Sequence, residues 1–189
     1  MKRIVLALVS IAVQGCVQGH QIVPSTFTES ALNFSYTPPL NMRDFTEVDN
    51  QSIQQRAKAM GKTNTLTLLL SLRSGSDDTA PEWHSIGIQT YPREKMGIVS
   101  DRDACQTLSR SVARGGTETG QPLDVQIGAI HFVVSTFEVR EGQLTKHACV
   151  YTTVRNGKML SFAFSANSSE VLNKIADSMK TFAPGKAQK

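Results

Sequence analysis

The stretch from Ile130 to Phe182 constrains the fold most: it reads as two β-hairpins in series followed by an amphipathic helix. Asn156-Gly157 stands between two alternating runs and supplies the two positive-φ residues that a type I′ turn requires. A two-residue loop fixes the register, so Arg155 faces Lys158, Thr153 pairs with Leu160, Tyr151 with Phe162 and Cys149 with Phe164. A second loop at Glu141-Gly142, treated the same way, sets Val134 opposite Cys149, Phe132 opposite Tyr151 and Ile130 opposite Thr153.

Both registers sort the side chains alike. One face carries Ile130, Phe132, Val134, Cys149, Tyr151, Leu160, Phe162 and Phe164, and is the expected main core. The other carries Val133, Ser135, Ala148, Val150, Ser161, Ala163 and Ser165, where something packs closely or water is met. Asn167 with Glu170 three residues on is a capping-box variant. Val171, Leu172, Ile175, Met179 and Phe182 then form an apolar stripe at helical spacing, which places the helix on the sheet.

Upstream, Leu32 to Thr37 is a short strand ended by Pro38-Pro39. Val48 to Met60 is a weak helix with Ile53, Ala57 and Met60 on one side and Gly61 as its stop, suited to covering an edge. Thr65 to Leu72 alternates and repeats the division into a bulky and a slim face, and Glu82 to Tyr91 is a mixed strand. Ser100, with Asp103 at the third position, caps a helix whose apolar side is Ala104, Cys105, Leu108 and Val112 and which Gly115-Gly116 stops. Leu123 to Ile127 is a strand leading into the hairpins. The order β-α-β-β-α-β-β-β-β-α with local antiparallel pairing predicts an α+β sandwich.

The N-terminus has a different character. Met1-Lys2-Arg3 precedes an uncharged run from Ile4 to Val13, which reads as an export signal over residues 1–15 and is too short to span a membrane. The run ends at Val13-Gln14-Gly15-Cys16, similar to a bacterial lipobox, in which the cysteine is lipidated and becomes the first mature residue. Gln14 departs from the usual small or apolar residue, and ordinary cleavage after Gly15 or Gly19 is the alternative. Lipidation of Cys16 would leave Cys105 and Cys149 as a candidate disulfide pair, and two buried free thiols are the other reading. Residues 16–29, rich in Gln, Gly, Ser and Thr, suit a tether; 30–182 form one domain, and 183–189 read as a disordered tail.

The formal charge of +4 is carried by the ends, because Lys2, Arg3, Lys186 and Lys189 account for the whole excess. The body is neutral by count and has no basic stripe with interleaved aromatics, so nothing marks it as a nucleic-acid binder.

Asn33-Phe34-Ser35-Tyr36-Thr37-Pro38-Pro39, and Leu160-Ser161-Phe162-Ala163-Phe164-Ser165-Ala166 running into a helix that ends Ser178-Met179-Lys180-Thr181-Phe182, resemble the PsbP-like proteins. These include lumenal photosystem II accessory proteins and bacterial lipoproteins without an assigned role. Where such proteins often carry Gly-Trp after the prolines, this chain has Leu40-Asn41-Met42. The resemblance implies a single α/β/α-type sandwich around an antiparallel sheet over residues 30–182 and a non-catalytic accessory role. It supplies no active-site residues.

Candidate chemistry is sparse. His131 falls on the small-residue face and His147 on the opposite one, so they do not share a metal across the sheet, and His84 alone is no ligand set. Asp77-Asp78 and Asp101 with Asp103 suit turn and capping roles, since the spacing of a calcium loop is absent. Gly115-Gly116 before Gly120 lacks the lysine of a phosphate loop, no serine stands in a nucleophile elbow, and Cys105 lies on an apolar side. Asn33, Asn50 and Asn167 open formal glycosylation sequons, relevant only in a eukaryotic host, whereas the short signal favours a bacterium. No cofactor is indicated.

Two functions follow as expectations. The first is an exported, lipid-anchored accessory protein of the periplasm or outer membrane, held through Cys16 and acting on another envelope protein. The second is a small-ligand carrier whose pocket floor is the small-residue face, with His131 and Ser161 as polar contacts. A hydrolase or metalloenzyme is the weakest reading, since no nucleophile with its base and no ligand cluster is legible.

Overall fold

The computed structural model describes residues 20–21, 25–61, 65–113 and 116–185. The expected signal segment and Cys16 lie outside them. In chain order the elements are β1 (His20–Gln21), β2 (Phe27–Glu29), β3 (Phe34–Tyr36), β4 (Arg43–Asp44), α1 (Thr46–Ala59), β5 (Thr67–Arg73) and β6 (His84–Pro92). A 3-10 turn (Arg93–Met96) leads to α2 (Asp101–Val112), followed by β7 (Thr117–Glu118), β8 (Leu123–Ile127), β9 (Ile130–Glu141), β10 (Leu144–Arg155) and β11 (Lys158–Ala166). The chain closes with α3 (Ser169–Ala176), a second 3-10 turn (Asp177–Thr181) and β12 (Ala183–Pro184).

The expected ten-element order is present, with short strands added. The main sheet runs β1-β4-β5-β6-β11-β10-β9, all neighbours antiparallel, and β7 and β8 lie one after the other along the outer edge of β9. A second sheet has the order β12-β3-β2. Strands therefore occur where the sequence suggested a tether, at Phe27–Glu29, and a tail, at Ala183–Pro184. Pairing explains both, because β3 lies between β2 and β12 and its ladder is completed on each side.

The Asn156-Gly157 turn has the expected form, with φ of 48° and 72°, and sets Tyr151 opposite Phe162 and Cys149 opposite Phe164. The neighbouring turn is displaced. It closes on Gly142-Gln143 with Glu141 opposite Leu144, so Tyr151 faces Val134 and Cys149 faces Thr136, two residues from the expected pairing. Gly142, at φ 65°, is the only positive-φ residue of that turn, so the glycine takes the first central position of a type II′ turn instead of the second position of a type I′ turn. Because side chains alternate with a period of two, an even displacement leaves every face assignment intact.

The bulky face forms the main core. Phe162 has four ring neighbours, Phe34 at 5.6 Å, Tyr36 at 5.4 Å, Phe132 at 6.3 Å and Phe182 at 5.7 Å between centroids. The small sheet supplies Phe34 and Tyr36, and α3 adds Leu172 and Ile175 to the same cluster. The Tyr36 hydroxyl lies 2.6 Å from Ser178 Oγ, and burial holds the phenol well above its ordinary pKa. The cap of α3 is Ser168, whose hydroxyl accepts from the Val171 N–H at 3.2 Å. Asn167, the expected cap, instead donates its amide to the carbonyls of Asp78 and Ala80 at 2.9 and 2.7 Å.

Both remaining helices cover the other face. α1 buries no residue fully and is held by polar contacts. Asn50 donates to the Leu68 carbonyl at 3.0 Å, Ser71 donates to Asp49 at 2.6 Å, and Arg73 pairs with Asp49 at 2.6 Å. α2 contributes Ala104, Cys105 and Leu108 to a second cluster with Val133 and Met159. The layers are therefore helix, sheet, and helix with small sheet.

Candidate functional site

The small-residue face is the first place to look for a site, and α2 decides its fate. Ser100 accepts from the Asp103 N–H at 3.1 Å, the N-cap expected from the sequence, and its hydroxyl also donates to the Asp103 carboxylate at 2.6 Å. The cap aims the apolar stripe of α2 at the slim residues of β9, β10 and β11, whose lack of bulk permits close approach. Ser109 Oγ lies 2.9 Å from Thr152 Oγ1, and Thr152 Oγ1 lies 3.4 Å from Ser161 Oγ, forming a buried hydroxyl chain between helix and sheet.

Ser161 is consequently 0% exposed. His131 is exposed on β9, in register with Gln126 of β8, and β10 separates it from Ser161. The two residues expected to contact a small ligand are not brought together. A carrier pocket floored by Val133, Val150 and Ala163 is corrected to a helix-covered interface, in which Val133 and Val150 are buried.

The cysteines need a second correction. Cys149 belongs to the bulky-face core and Cys105 to the cluster beneath α2, so the sheet lies between them and both are free thiols. Burial pushes the Cys105 thiol up to about 12 and the Cys149 thiol up to about 11. Neither is a thiolate at neutral pH, which removes nucleophilic reactivity from both.

Two open hollows stand out among the described residues. One, of ≈ 290 Å³, is bounded by Arg43, the Ser74–Asp77 loop, Glu82 and Trp83. The other, of ≈ 280 Å³, lies where the small sheet meets the edge of the main sheet, between Phe27, Thr28, Leu70 and Leu72. Both fall at the bottom of the size range of small-molecule sites and are open to solvent. Beside the first, Lys146 is held over the Trp83 ring at 4.7 Å and paired with Glu141 at 2.7 Å and Asp78 at 3.1 Å. Burial works to lower the Lys146 pKa, but its hydrogen bonds to the two carboxylates outweigh this and hold it above the ordinary value.

The surface feature that the sequence reading missed is the loop between the 3-10 turn and α2. Arg93 donates to Asp101 at 2.8 Å, to the Gly97 carbonyl at 3.2 Å and to the Val99 carbonyl at 2.5 Å. This bracing holds Ile98 fully in solvent, at 108% relative exposure, with Val99 beside it at 46%. The signal was Ile98-Val99 immediately before an N-cap serine, with an arginine a few residues upstream. Among the described residues no group of three or more His, Cys, Asp and Glu converges, and no helix is long and apolar enough to cross a membrane.

No family model matches the chain, and no curated protein matches it. Solved structures do. A solution structure of cyanobacterial PsbP from Synechocystis sp. PCC 6803 superposes with a TM-score of 0.53 at 10% identity, covering 90% of this chain and 98% of that one. The Saccharomyces cerevisiae Ran-binding protein Mog1p gives 0.50 at 11% identity, covering 87% and 96%. A crystal structure from Bacteroides thetaiotaomicron VPI-5482 gives 0.50 at 14% identity, covering 88% of this chain and 50% of that one, so the chain spans half the length of that protein. The fold is the α+β arrangement shared by PsbP and Mog1p.

Proposed function

We propose that this chain is a PsbP-like accessory protein of the cell envelope, exported, anchored by a lipid on Cys16, and acting by contact with another envelope protein without catalysis. The observation that carries the reading is the α2 cover. With Ser109, Thr152 and Ser161 joined beneath the helix, the small-residue face is covered by α2, and recognition falls to the outer surface. The braced Ile98-Val99 loop suits that role, because an apolar contact held in place before binding loses little freedom on association. The Mog1p structure, described as a Ran-binding protein, lends support at the level of fold: this scaffold serves binding elsewhere. The lipobox-like Val13-Gln14-Gly15-Cys16 supports the anchor.

The test is fractionation of cells that express the full chain. The wild type is expected in the membrane fraction, Cys16→Ser in the soluble fraction, and Ile98→Asp in the membrane fraction but without its co-purifying partner. A wild type that is soluble throughout would overturn the anchor. A partner retained by Ile98→Asp would overturn the contact.

A further inference from the structure

The outer edge of β8 is where the fold is unfinished. Its turn into β9 has two residues, Gly128 and Ala129, with Ile127 opposite Ile130 and Gly128 at φ 59°. A two-residue hairpin closes on a hydrogen-bonded pair, and bonded and non-bonded pairs alternate along the ladder from there. Leu123, Val125 and Ile127 therefore turn their backbone groups toward β9, while Asp124 and Gln126 turn theirs outward. Among the described residues β8 pairs with no strand except β9. The edge has no lysine, bulge or internal proline to blunt it, and its one charged side chain, Asp124, is held by Arg102 at 3.2 Å. Leu123, on the bulky side, is 63% exposed.

We propose that β8 pairs antiparallel with β8 of a second copy of this chain, about a two-fold axis at Val125. The register follows from the backbone. With the axis at Val125, Asp124 of each copy faces Gln126 of the other, and every outward N–H and C=O of both strands is bonded. An axis at Asp124 places two carboxylates opposite one another and sets Gln126 against Pro122, which has no N–H and whose carbonyl already accepts from Arg102 at 3.2 Å. An axis at Gln126 runs Asp124 onto the Gly128 turn.

The side chains agree with the first choice. Leu123 meets Ile127 and Val125 meets its copy on one side, and an acid meets an amide on the other. The interface is isologous and closes after two copies. It is also small, so the association is weak and has to be read over a concentration series.

Sedimentation velocity of the full chain from micromolar to millimolar concentration tests this. A monomer–dimer equilibrium is expected. Gln126→Asp, which places like charges opposite each other twice per dimer, weakens it by about tenfold, and Gln126→Lys, which places a cation opposite Asp124, strengthens it. Gln126 is exposed, and an unchanged thermal midpoint in both variants establishes that each is folded. The Asp124 and Gln126 amides are expected to gain exchange protection with concentration, while the Val125 amide, already bonded to β9, does not. A monomer at every concentration, or a dimer that both variants leave unaltered, overturns the proposal.

Discussion

The Ser109 hydroxyl meets the Thr152 hydroxyl at 2.9 Å, which joins the middle of α2 to the middle of the main sheet at a point with no water access. Ser109 also donates to the Cys105 carbonyl one turn back at 3.0 Å, which leaves its oxygen to accept from the Thr152 hydroxyl. Ser109→Ala is expected to lower stability by about 1 kcal/mol, the worth of one net hydrogen bond. Ser109→Leu should cost about 1–3 kcal/mol by wedging the helix away from β10. Urea denaturation of the two variants separates these outcomes.

Phe162 sits at the centre of the aromatic cluster and is fully buried. Phe162→Ala removes four ring contacts at once and is expected to destabilise by about 3–5 kcal/mol. Phe162→Leu, which keeps most of the volume, should recover more than half of that loss in the same measurement.

Cys105 and Cys149 are expected to remain thiols. Intact mass should show no bond between them with or without reductant, and alkylation at neutral pH should modify neither in the folded protein and both in denaturant. Native-state labelling of either at the rate of a free thiol would contradict the burial described.

Lys146 makes a pH-dependent contribution of known sign. Its folded pKa is raised above the ordinary 10.5, so the stability it adds is complete below that value and is lost as pH rises through the folded value. The stability difference between wild type and Lys146→Met should be constant from neutral pH up to about 10.5 and shrink above it, as read from urea midpoints.

Arg93 acts on a loop, not on the core. Arg93→Lys keeps the charge but loses the fork that reaches Asp101 and two carbonyls together. The loop's local opening free energy should fall by about 1.5–3 kcal/mol, so exchange of the Val99 amide, which is bonded to the Gly97 carbonyl, rises at least tenfold. The global thermal midpoint should barely move.

The legible parts of this molecule were those in which local chemistry and long-range packing agree. Asn156-Gly157 specified its turn, the alternation specified both faces, and Ser100 with Asp103 specified the start of α2. Gly142 misled on register because a lone glycine serves either central position of a tight turn, and only the neighbouring strand decides between them. Phe27–Glu29 and Ala183–Pro184 escaped notice because such short strands carry no periodicity; they exist through their shared partner β3. Which sheet face α2 would cover, and with it the separation of Cys105 from Cys149, was equally invisible, since a helical stripe does not name its target.

The placement of β3 between β2 and β12 has a kinetic side. Phe34 reaches its place in the core only when a strand from near the start of the chain and one from near its finish have both arrived, and the Gly185 N–H completes the corner by donating to the Asn33 carbonyl at 2.7 Å. The β2–β3 hairpin is local, but β12 joins β3 from far along the chain, and loop-closure entropy makes that pairing slow, so the hairpins of β9, β10 and β11 are expected to form first and this corner last. A chain cut before Ala183 would then stall as a compact, loosely packed species, with the Phe34 ring still in search of its setting.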